Sequence, residues 1–217
     1  MGILLGSILS LLAVLPAIAA AIKLPSISSE FDPFIVCIWF YGFNAGISYP
    51  VMDMGYYNIF HYNMWFLADA YCLLWAFKKW NLFASKKFYY SIAVFFGACW
   101  LLETVYLSKL TGDYNSYFRI IYTFTVILMS ISMINTLLLK ATINPFKNSI
   151  FLICCTLILL NTISLISEAF FAYNLILSNQ FRIYMDHINT FINALCSLIF
   201  ALIILWLPRK QAFTLQY

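Results

Sequence analysis

Polar and apolar positions alternate along this chain on a coarse scale: seven long apolar runs are separated by short polar breaks. The runs cover 3–22, 33–52, 56–78, 88–110, 114–139, 148–173 and 183–207. Each suits a helix of about 20 residues crossing a hydrocarbon layer ~30 Å thick. The breaks carry clear punctuation. Glu30, Asp32 and Pro33 precede the second run, and Pro50 and Asp53 close it. Lys78 and Lys79 end the third, Lys140 and Pro145 the fifth, and Pro208-Arg209-Lys210 the seventh. Pro145 stops a helix because it has no N–H and its ring clashes with the preceding turn. Pro16, inside the first run, reads as a kink that a membrane helix tolerates. Short linkers and the lack of an internal repeat predict one domain over 1–217. The expected fold is all-α: a polytopic membrane protein built as a single bundle of seven transmembrane helices.

Composition narrows the function classes. Hydrophobic residues make up 64% and charged residues 9%, against ~25% charged in a soluble domain. No soluble catalytic domain fits in the remainder, and no nucleic-acid partner is expected. The six cysteines all lie in apolar runs without CxxC spacing, so they read as small packing thiols that form no disulfide. The two histidines, His61 and His187, lie far apart in sequence. With no cluster of ligating residues, neither a metal nor another cofactor is expected.

The basic residues set an orientation. Lys78, Lys79, Lys86 and Lys87 crowd one loop, and basic loops resist translocation. The first run ends in an Ala17-Ile18-Ala19 pattern that resembles a cleavage site, but it lacks a basic leader. Removing that run would export the lysine-rich loop, so parity keeps it as the first span. The N-terminus is then outside and the C-terminus cytoplasmic. Nine of the twelve basic residues fall inside, and Lys109, Arg119 and Arg182 fall on the outer side. The expected location is the cell membrane, as a multi-pass protein.

Depth now follows for the polar residues within the spans. Asp69 lies near the midplane of the third span, with His61 shallower on the outer side. Glu103, Arg119, Glu168, Asp186 and His187 also fall in the outer half. Helical spacing puts Asn161, Ser164 and Glu168 on one face, as it does Asp186, Asn189, Asn193 and Ser197, and Asn58, His61, Trp65 and Asp69. Lipid does not tolerate such stripes, so they should face one another. The inner halves are almost free of charge. These residues predict an outward-facing polar pocket with an apolar plug, lined by Asp69, Glu103, Arg119, Glu168, Asp186, His61, His187, Asn161 and Asn189.

The stretch LPAIAAAIKLPSISSEFDPFI, followed by YNIFHYNMWFLADAY and by the KKW at the end of the third span, resembles a group of small seven-span bacterial inner-membrane proteins. That resemblance covers about the first 80 residues. It implies a fold and a location, and no site residue.

Three functions fit such a pocket. A receptor or sensor binding a small or lipid-like ligand needs an outward pocket and a cytoplasmic signalling partner, or a second copy of the chain. An intramembrane enzyme could use a carboxylate as general acid or base on a lipid or isoprenoid, as a cyclase does. A transporter subunit would need polar groups along the whole path, which the apolar inner halves disfavour. Membrane lipid is a partner in all three. Binding and sensing are the expected function.

Overall fold

The computed structural model describes residue 9 and residues 11–53, 59–107, 115–140, 145–172 and 179–208; side chains at 47–53, 59–61, 140, 171–172, 179 and 182 fall outside the described set. Those residues are almost wholly helical and contain no strand. The helices are α1 (Leu15–Lys23), α2 (Asp32–Asp53), α3 (Ile59–Lys79), α4 (Lys86–Leu102), α5 (Ser116–Lys140), α6 (Ser149–Ala172) and α7 (Asn179–Trp206). A 3-10 turn at Leu12–Val14 leads into α1 and another at Leu24–Ser26 follows it. Pro16 falls in the first turn of α1, directly after the 3-10 turn at Leu12–Val14. A proline is tolerated in a first helical turn, where its fixed φ suits the helix.

Four segments, Lys86–Leu107, Ser116–Leu139, Ser149–Phe170 and Ile183–Trp206, are long and apolar enough to cross a membrane. Only 17% to 33% of the most apolar stretch of each is buried inside the protein. The rest faces outward, including Val94, Phe95, Leu101, Leu128, Leu198 and Trp206. Apolar residues spread around the outside of long helices form a surface suited to lipid, not water. Buried residues include Asn63, Glu103, Asn115, Asn161 and Glu168.

Local chemistry sets the helix ends. The α3 terminus is a Schellman motif: the Leu82 N–H donates to the Phe77 carbonyl and the Asn81 N–H to that of Lys78, both at 3.1 Å. Asn81 takes the left-handed conformation (φ 59°) that this motif requires. Ser85 then caps α4 by accepting from the Lys87 N–H at 3.2 Å, so the chain reverses within a few residues. Asn148 caps α6 in the same way, accepting from Ile150 N–H at 2.9 Å.

Contacts run α1 to α2, α2 to α3, α3 to α5, α5 to α6, α6 to α7 and α7 back to α1, which closes a ring. α4 packs outside it, against α3 and α5. At one end Phe31, Phe34 and Phe77 pack around Trp80. The Lys23 ammonium donates to the Leu205 carbonyl near that end. Where α1 crosses α2 the backbones approach closely: a Cβ on Gly42 would stand 2.6 Å from the Ala17 Cβ. Gly42→Leu is therefore expected to push α1 off α2 and lower the unfolding temperature in detergent, at a cost of about 1–3 kcal/mol. Gly46 has open space at its Cβ, so Gly46→Ala on the same helix should be near neutral.

Candidate functional site

A cavity of about 220 Å³ opens within the ring, lined by residues of α2, α3, α5, α6 and α7. Its two ends differ. Toward the end away from Trp80 lie Asn44, Arg119, Ser164, Asn189 and Asn193; the other end is floored by Phe34, Leu73 and Phe200. Phe34 and Phe200 meet edge to face at 5.5 Å.

The polar wall starts from a knot that fixes α5. Asn115, just before α5, donates its N–H to Asn63 Oδ1 at 3.0 Å and its side-chain amide to Thr104 Oγ1 at 2.6 Å. With that side chain engaged, the first turn of α5 needs another cap. Glu103 supplies it, accepting from the Tyr117 N–H at 2.9 Å and the Phe118 N–H at 2.5 Å. Two otherwise orphaned amides are satisfied by a negative charge at a helix N-terminus, where the dipole favours it. Glu103 opens a π-helical turn, Glu103–Leu107, at the end of α4. Trp100 closes the knot by donating to the Asn63 carbonyl at 2.8 Å. Glu103→Ala is expected to cost about 1–3 kcal/mol, the usual loss for buried donors left unpaired. Hydrogen exchange checks it specifically: the Tyr117 and Phe118 amides should exchange faster, while amides near Met129 keep their protection.

Arg119 follows one residue after this cap. Its guanidinium lies 3.9 Å from the centre of the Phe66 ring and pairs with Glu168 of α6 at 2.7 Å. One helical turn beyond Arg119, the Tyr122 hydroxyl donates to one oxygen of Asp69. The Cys37 thiol donates to the other at 2.9 Å. Asp69 thus faces the cavity held between α2 and α5. On the far wall Tyr41 donates to Asn193 Oδ1 at 3.2 Å, and the Asn161 amide turns back to the Leu157 carbonyl at 2.8 Å.

Of the residues the sequence singles out, Asp69, Arg119, Asn161 and Asn189 line the cavity. Glu168 stands behind Arg119 as its counter-charge. Glu103 is buried but serves as the α5 cap, outside the cavity lining. Asp186 is exposed and His187 half-buried, both outside the lining, because the first turns of α7 extend past it. The His61 side chain lies outside the described residues. Compared with protein-family models, curated proteins and solved structures, the chain matches none.

Sequence reasoning passes over Cys37, Tyr41, Asn44 and Tyr122, all of which line the cavity. Two signals were present. Cys37, Tyr41 and Asn44 are spaced by 4 and 3, one face of a helix, and Tyr122 is three residues from Arg119. All six cysteines are free, but Cys37 holds a carboxylate as well as filling space.

Proposed function

We propose that this chain is a seven-span protein of the cell membrane, N-terminus outside, whose cavity binds a small or lipid-like ligand in the manner of a receptor or sensor. The observation that carries this reading is the cavity itself: Asp69, Arg119, Asn161, Asn189 and Asn193 converge on it from four helices. Concave sites with a few convergent polar groups in an otherwise apolar lining are the usual form of a ligand pocket. The lysines at 78, 79, 86 and 87 mark the opposite end of α3 and the start of α4, so the positive-inside rule turns the polar half of the cavity outward. The apolar floor at Phe34, Leu73 and Phe200 argues against a transport path, which needs polar groups throughout. A cytoplasmic partner or a second copy would relay the bound state.

A second reading is favoured by one feature. Asp69 between Tyr122 and Cys37 is an arrangement that could pass a proton to an intramembrane substrate. Reporter fusions at Ser85 and Tyr217 test the topology; an external signal at either refutes it. Native mass spectrometry and lipid extraction after incubation with membranes test the site. A bound, unaltered molecule supports sensing, a converted one supports catalysis, and an empty protein refutes both.

A further inference from the structure

The formal charges around the cavity do not cancel. Arg119 and Glu168 neutralise each other at 2.7 Å. Asp69 has no ion-pair partner among the described residues. Its two oxygens accept from the Cys37 thiol and the Tyr122 hydroxyl. Those donors carry no charge, so they orient the carboxylate without supplying a counter-charge.

The cavity beside Asp69 is walled by aromatic rings: Phe34, Tyr41, Trp65, Phe66 and Tyr122. Ring faces carry the negative end of the aromatic quadrupole and attract cations. A fixed carboxylate and ring faces together favour a positive guest in a low-dielectric site. An anion would have to recruit Arg119, which is already paired, and would strand the buried Glu168 without its counter-charge. The volume, about 220 Å³, is below the ~300–1,000 Å³ of sites for drug-sized ligands. Resting on the reading of the cavity as a ligand site, we infer that its ligand is a small organic cation, an amine or quaternary ammonium. The cationic centre sits against Asp69, and an apolar end points to the Phe34–Phe200 floor.

The test uses the full chain, purified into lipid nanodiscs, and three probes of similar size. These are choline, its uncharged tert-butyl isostere, and the tert-butyl carboxylate pivalate. Calorimetry should show choline binding about tenfold or more tighter than the uncharged isostere, and pivalate weakest. Asp69→Asn should erase the preference for choline over the isostere. If that variant does not fold, the three-way comparison on the native protein still decides. Equal or tighter binding of the isostere or of pivalate overturns the cation assignment and leaves the pocket reading standing. No binding of any probe also overturns the assignment. The pocket reading falls with it only if incubation with a membrane lipid extract leaves no molecule bound in native mass spectrometry.

Discussion

Replacing Arg119 with leucine is expected to destabilise the bundle by roughly 3–5 kcal/mol, because Glu168 would remain buried without a counter-charge. The pair spans α5 and α6 at 2.7 Å, with only 8% of the Glu168 side chain exposed. Glu168→Leu should be costly for the mirror-image reason. The double variant Arg119→Leu/Glu168→Leu should recover most of the loss, since a buried pair replaced by apolar groups of similar volume is often neutral. A double-mutant cycle by thermal unfolding in detergent checks this. Additive losses would mean that the two charges do not depend on each other. The cycle also bears on ligand recognition, because Arg119 lines the cavity and Glu168 is its counter-charge.

Phe34→Ala should be comparably damaging, at about 3–5 kcal/mol for a buried aromatic reduced to a methyl. Phe34 is 1% exposed and touches Phe200 at 5.5 Å and Trp80 at 6.2 Å. Its loss would join the cavity to the packing around Trp80 and remove the floor. Phe34→Leu keeps most of the volume and should cost less than about 1.5 kcal/mol. The two variants separate stability from shape. Thermal unfolding should rank alanine well below leucine, and binding to the alanine variant should shift toward longer apolar ligands. If both variants unfold like the native chain, Phe34 does not support the floor.

The same residues show how far the sequence alone reaches. Helix positions follow from apolar length, because a buried or lipid-facing segment must satisfy its own backbone hydrogen bonds, and a helix does so locally. Helices α2 to α7 fall on apolar runs of the sequence, and four segments among the described residues are long and apolar enough to cross a membrane. Of the first run, the described part holds a short helix, Leu15–Lys23, between 3-10 turns, with Pro16 in its first turn and Pro25 in the turn that follows. The faces of α6 and α7 were also legible, since 3 and 4 spacing fixes which side chains share a side.

What only the tertiary structure decided is which polar residue does which work. Glu103, Glu168 and Asp69 look alike in sequence: acidic residues inside apolar runs. Glu103 becomes a cap because Asn115 spends its own side chain on Thr104 and leaves the α5 amides open. Glu168 becomes a counter-charge because Arg119 reaches across from α5. Asp69 faces the cavity because Cys37 and Tyr122 approach it from two other helices. Periodicity fixes the side of a helix on which a residue lies. The rotation of that helix against its neighbours, and the partner standing opposite, depend on packing among segments up to a hundred residues or more apart in the chain. Local sequence carries no measure of that.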